Sequence, residues 1–256
     1  MKDVLDKART PEGHAARRRR HTAKGASKRG RVKHELSGAV ARSASERDTV
    51  HASVYAAMKQ ALMRGVYVPG QKITIRSAAA SLGTSATPVR EAIRRLAAEG
   101  ALEHVRGRAR LPVLDRPRLA EITEVRVVLE SLAARHAAVK MQPQHIDALE
   151  CIQAELARAR NRKDYEMYLA KNEEFHFSYY RISAMPNLLR AIESMWLQAG
   201  PYLKLLLPSM RGIDLHAAAI NAGRRHDGDA AAAAIEEDIR RAAARLATLI
   251  PDAKLS

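Results

Sequence analysis

Asn172 and His176 stand four residues apart in the stretch KNEEFHFSYY, a spacing that places both side chains on one face of a helix. His216 and Asp238 lie about eleven residues on either side of Asp227, where an Asp-Gly pair marks a turn. At a rise of about 1.5 Å per residue, an antiparallel hairpin brings those two side chains level. Two imidazoles, a carboxylate and an amide oxygen then converge, a donor set suited by type to zinc, nickel or manganese. Each residue also has a plainer reading. A histidine in a helical bundle is commonly a hydrogen-bonded core residue, and Asp238 follows Glu236 and Glu237 as a solvated acidic face would.

The elements that must position these residues are helices. From residue 117 onward the chain divides into six helical stretches, at 117–140, 143–162, 164–183, 186–207, 213–226 and 229–249, punctuated by Pro143, Pro186, Pro208 and Asp227-Gly228. Six helices in about 130 residues form an antiparallel bundle, with internal pockets between facing helices.

A second constellation lies upstream, in RSAAASLGTSATPVREAIRRLAAEGALEHVRGRAR. A helix over 75–82 ends at Gly83, and a second begins with Thr87 as its cap and Pro88 at its first position. Val89, Ile93 and Leu96 recur at helical spacing toward a core, leaving Thr87, Arg90 and Arg94 on the opposite, cationic face. Glu91 and Arg95 are spaced to pair along the flank. Strands at 101–105 and 110–114 would close around Arg106-Gly107-Arg108. The preceding helix, 47–64, turns Val50, Val54, Ala57, Met58, Ala61 and Leu62 inward. This is the pattern of a winged helix-turn-helix, whose second helix fits the major groove while neighbouring cations hold phosphates. The bland alternative is a small helical domain with a solvated arginine face.

The expected fold is therefore mostly α: an N-terminal winged helix-turn-helix over 47–114, then an all-α antiparallel six-helix bundle over 115–250 and a short tail, 251–256. Scarce aromatics (4%) and abundant alanine agree with it. Residues 1–46, with Arg17-Arg18-Arg19-Arg20 among Ser, Gly and Ala, read as a disordered basic arm. That arm either adds salt-sensitive affinity for DNA phosphates or is a solvated tail. It lacks the amphipathic period of a presequence and contains Asp3, Asp6 and Glu12. A formal charge of +16 calls for a polyanionic partner, and no apolar run approaches the ~20 residues of a membrane span. Cys151 is the single cysteine, so no intrachain disulfide forms and a reducing, cytoplasmic and nucleoid-associated setting is expected.

On Gly65, Pro69-Gly70, Leu82-Gly83, Ser85, Pro88-Val89-Arg90-Glu91-Ala92, Leu96 and Glu99-Gly100, the sequence resembles the GntR superfamily of bacterial transcription regulators. The resemblance implies that Arg76, Arg90 and the wing around Gly107 meet DNA, and Ser85 is a further candidate contact. The family usually has arginine directly after the serine and this chain has Ala86, a departure that bears on the operator sequence rather than the fold. The remainder resembles the FadR subfamily with its FCD ligand-binding domain, whose usual signature is an Asp and a His four apart followed by two further histidines. Asn172, His176, His216 and Asp238 fall on those positions, so one carboxylate is kept but relocated. The resemblance leaves both outcomes open, a rearranged metal site or a member without metal.

Arg126 and Glu130 match a further signature on the first bundle helix, which implies that Arg126 lies by the effector pocket and holds a small carboxylate. An ion pair with Glu130 is compatible with that role. Trp196, Gln198 and Tyr202 are candidates to line the cavity, with Trp196 equally readable as core. The functional expectation is a homodimeric regulator, most simply a repressor, binding double-stranded DNA at a short palindrome and responding to an organic-acid or sugar-acid effector. Two other classes are weighed against it. One is a metal-dependent enzyme using His176, His216 and Asp238 as a facial triad, for which no general base or nucleophile is evident. The other is an architectural DNA-binding protein without effector.

Overall fold

The computed structural model describes residues 49–67, 69–105, 108–209 and 213–252. The expected basic arm, the wing-tip residues Arg106 and Gly107 and most of the C-terminal tail lie outside them. Helix α1 spans 49–63 and buries Val54, Met58, Leu62 and Met63. Val50, expected inward, is exposed because it sits in the first turn, beyond the reach of the small core.

Strand β1 (Lys72–Ile73) leads into α2 (Ile75–Ser81), capped by Thr74, whose Oγ1 accepts from the Ser77 amide at 3.1 Å. Leu82 ends α2, and Gly83 at φ +62° lets the chain reverse, with the Thr84 amide donating back to the Ala79 carbonyl. Helix α3 (Ala86–Ala98) starts two residues before the Pro88 position expected from sequence, with Ser85 rather than Thr87 as its cap. Pro88 at the third helical position is tolerated for the same reason as at the first, since none of the first four amides has an intrahelical acceptor.

The wing is tighter than its sequence suggests. Strands β2 (Glu103–Val105) and β3 (Arg108–Arg110) pair antiparallel with Val105 opposite Arg108, and β1 joins the far edge of β3 with Ile73 opposite Ala109. Arg108 therefore belongs to a strand. Ala101, Leu102, Leu111 and Leu114 anchor the sheet as buried residues outside it. Two-residue β1 is too short to leave a periodic signal.

The bundle comprises α4 (Arg116–Val139), α5 (Pro143–Arg162), α6 (Tyr165–Arg181), α7 (Pro186–Leu203), α8 (Ile213–Arg224) and α9 (Gly228–Ala247). Asp115 caps α4, accepting from the Arg118 amide, and Asp227 caps α9, accepting from the Ala230 amide. The fourth stretch is not α-helical to residue 207: α7 passes into a 3-10 helix, Lys204–Ser209.

The winged segment and bundle pack as one unit, with contacts from both α6 and α7. Lys59 pairs with Glu193 at 2.6 Å and Arg64 with Glu173 on α6 at 2.7 Å. The Tyr202 hydroxyl accepts from the Leu114 amide at 2.6 Å and donates to the Pro112 carbonyl. Gly200 lies so close to α1 that a Cβ there would sit 2.6 Å from the Met63 carbonyl oxygen.

Candidate functional site

Helix α6 presents Asn172, His176 and Tyr180 at successive turns, α8 supplies His216, and α9 supplies Asp238. His176 Nε2 lies 3.2 Å from His216 Nε2 and 3.4 Å from Asp238 Oδ2, and His216 Nε2 lies 3.9 Å from the same oxygen. Ligand atoms on bonds of about 2.1 Å to one cation stand about 3.0–3.4 Å apart, so the donor set fits a divalent ion with about half an ångström of closure at its widest edge. Both imidazoles are buried, and Phe175 stacks on His216 with ring centroids 4.0 Å apart.

Burial, followed by the neighbouring His176, pulls His216 down to about 3, against the opposing pull of Asp238, so this imidazole is neutral as a metal ligand has to be. For Asp238 burial pushes upward, but the His176 contact, the facing His216 and the Arg126 charge outweigh it and hold the carboxyl below its usual range. Asn172, half-buried, lines the same cavity as His176 and Asp238.

Behind His176 lies a buried polar cluster built on Glu130. Its carboxylate accepts from Arg126 Nε at 2.6 Å, the Tyr180 hydroxyl at 2.8 Å and Trp196 Nε1 at 3.0 Å. The Tyr180 hydroxyl in turn meets His176 Nδ1 at 3.0 Å. Burial, followed by the Glu130 charge, pushes Tyr180 well above its ordinary value, so it keeps its proton. Burial alone would lower Arg126, but its pairing with Glu130 prevails and raises it.

Arg126, Tyr168, Trp196, Arg241 and Arg245 line the cavity over the three ligands, which encloses about 60 Å³, room for a few water-sized groups. Arg126 thus both lines the cavity and pairs with Glu130. Gln198 and Tyr202, expected there from sequence, instead face the winged segment: Gln198 accepts from Arg118 at 3.2 Å and packs on Gly100. The residues missed from sequence are Tyr168, Tyr180, Arg241 and Arg245. Tyr180 had a signal, its four-residue spacing from His176, whereas the α9 arginines are masked by their place in a charged run.

On the winged segment, Arg76, Ser85, Thr87, Arg90, Arg94 and Arg108 are all exposed. The expected Glu91–Arg95 pair is not made. Glu91 binds Arg94 at 2.9 Å, while Arg95 lies 3.7 Å over the Tyr55 ring and pairs with Glu99, which also accepts from the Tyr55 hydroxyl. A ring from α1 captures Arg95, and the flank pairing shifts by one residue. Arg76 and Arg90 form no ion pair among the described residues.

A winged helix with an exposed cationic recognition helix, joined to a helical bundle holding a His/Asp cluster, defines a DNA-binding regulator with a sensing domain. The GntR model of bacterial regulatory proteins matches residues 51–110 and the FCD domain model residues 121–241, and the chain belongs to this family. It is 32% identical over 159 residues to the HTH-type transcriptional regulator McbR of Escherichia coli, covering 62% of this chain and 72% of that one. It is also 32% identical over 155 residues to a probable D-xylose utilization operon transcriptional repressor of Paenarthrobacter nicotinovorans, covering 59% and 67%. The solved structure of E. coli McbR/YncC superimposes with a TM-score of 0.73 at 27% identity, over 78% of this chain and 98% of that one. A GntR-type structure from Rhodococcus sp. RHA1 shares the fold, with a TM-score of 0.63 at 16% identity, over 77% of this chain and 96% of that one. The chain is accordingly a transcription regulator and not a metal-dependent enzyme. No described helix is long and apolar enough to cross a membrane.

Proposed function

We propose that this protein is a cytoplasmic, homodimeric repressor that binds a short palindromic operator and is released by a small anionic effector. The observation carrying the DNA reading is the division of α3 into a buried face, Val89, Ile93 and Leu96, and an exposed face bearing Ser85, Thr87, Arg90 and Arg94. Side chains near the N-terminal end of such a helix reach base edges, and the exposed Arg76 and Arg108 would hold phosphates. Repression is favoured by the name of the Paenarthrobacter relative. Selection from a random duplex pool at near-physiological salt tests the reading. Wild type is expected to enrich one short palindrome, and Arg90→Ala to lose that enrichment, with affinity for the selected site falling about 5- to 150-fold. Affinity that is steep in salt and indifferent to Arg90→Ala would instead identify an architectural binder.

The homodimer is supported by α4. Val125, Val128, Leu132 and Val139 form one exposed apolar stripe along it, with Val128 65% and Val139 60% exposed. A second copy packed there gives two-fold symmetry, which the palindrome mirrors. Val128→Glu is expected to weaken self-association at least about tenfold. Sedimentation at graded concentrations measures it, and an unchanged dimer would remove α4 from the interface.

In the bundle, His176, His216 and Asp238, with Asn172 beside them, would hold one divalent cation, zinc, nickel or manganese by donor type. When bound it supplies a Lewis-acidic anchor for an anionic group. Arg126 supplies a buried guanidinium on the same cavity, a group that suits a carboxylate, and Arg245 and Arg241, the latter paired with Glu237 and Asp214, stand on its wall. The cavity is small beside a sugar acid, so effector entry requires its walls to part. An effector that binds the opened arrangement more tightly shifts the protein toward it.

A further inference from the structure

The two histidines of the cluster are held differently. His216 Nδ1 has no hydrogen-bond partner among the described residues, and its ring is positioned by stacking on Phe175. His176 Nδ1 faces the Tyr180 hydroxyl at 3.0 Å, while its Nε2 faces His216 and Asp238. Tyr180 has one proton to give, and it goes to Glu130 Oε2 at 2.8 Å. Glu130 cannot return one: ion-paired with Arg126 and accepting also from Trp196, it acts only as an acceptor. The Tyr180 oxygen is therefore left to accept, and His176 Nδ1 has to be the N–H that meets it. That nitrogen remains a donor whether the imidazole is neutral or charged, so Nε2 is the nitrogen left to face an arriving cation.

We infer that Tyr180, oriented by the buried Glu130 carboxylate, is a positioning residue that fixes the His176 proton on Nδ1 and presents Nε2 to the cation site. This rests on the metal reading of His176, His216 and Asp238. Outer partners of this kind set both tautomer and ring direction, and their removal commonly lowers metal affinity by about 10- to 100-fold. The same Glu130 oxygen accepts from Trp196, so the relay also ties His176 to α7, the helix against which the winged segment packs.

The test uses the full chain with zinc as the probe, and nickel and manganese titrated into wild type beside it. Calorimetric titration of wild type and Tyr180→Phe is expected to show zinc affinity falling about 10- to 100-fold in the variant. Long-range ¹H–¹⁵N correlation spectra are expected to show His176 protonated at Nδ1 in wild type, with zinc on Nε2 when loaded. In zinc-free Tyr180→Phe at alkaline pH, His176 is expected to populate the Nε2–H tautomer. A merely structural hydroxyl would lower the unfolding temperature while leaving the tautomer and zinc affinity as they were, and that result overturns the inference alone. Wild type that binds none of zinc, nickel or manganese overturns it together with the metal reading. Should Tyr180→Phe fail to fold, the wild-type spectrum decides, because a bare His176 Nδ1 contradicts the inference directly.

Discussion

Glu130→Ala is expected to lower the unfolding temperature by roughly 6–20 °C, following a loss of about 3–5 kcal/mol. Glu130 is fully buried and is the shared acceptor of Arg126, Tyr180 and Trp196. Truncation leaves a guanidinium in the bundle without its counter-charge, and two further buried donors lose their acceptor at once. Desolvation of an unpaired cation dominates this sum, whereas the worth of the intact pair over an apolar one is small. A double substitution therefore separates the two: Arg126→Leu with Glu130→Leu removes both charges and should recover a good part of the stability lost by Glu130→Ala. Thermal unfolding followed by circular dichroism measures all three proteins. If Glu130→Ala melts with wild type, the carboxylate is not holding the bundle and the hydrogen-bonded cluster around it is incidental.

Gly200→Ala is the second large effect, and its sign decides between two causes. Gly200 lies inside α7, where alanine is the better helix former by about 1 kcal/mol, so propensity alone predicts a more stable protein. The added Cβ, however, would stand 2.6 Å from the Met63 carbonyl oxygen and 2.8 Å from its Cα. Those atoms belong to the α1 backbone and cannot swing aside as a side-chain tip could. Overpacking of this kind costs about 1–3 kcal/mol, which exceeds the propensity gain over most of that range. The expected result is a loosened contact between α1 and α7 with the bundle itself intact. Limited proteolysis should then cut faster near residues 112–115, where Tyr202 clamps the connecting backbone, and amide exchange around Met63 should accelerate. A net gain in stability with unchanged proteolysis would show that the two helices part easily and that the close approach is not a constraint.

Much of the architecture could be read from the chain because it is written locally. Proline and Asp-Gly punctuation marks helix ends through covalent geometry and missing donors, and α5, α7 and α9 start at Pro143, Pro186 and Gly228. The two faces of α3 follow from the helical period of Val89, Ile93 and Leu96. The level placement of His216 and Asp238 follows from counting outward from a turn. Where a local rule had a competitor from another element, the tertiary structure decided. Tyr55 on α1 drew Arg95 away from Glu91 and toward Glu99. A two-residue strand found its partner in β3 without any periodicity of its own. Gln198 and Tyr202 turned to the winged segment because α7 has two packed faces, and sequence could not say which one looks into the cavity. The carboxylate of Glu130 shows the limit most clearly. Its spacing announces one partner, Arg126, four residues away, but Tyr180 and Trp196 reach it from helices 50 and 66 residues along the chain. Periodicity fixes which side of a helix a residue occupies, while the packing of three helices against one another determines which atoms meet there.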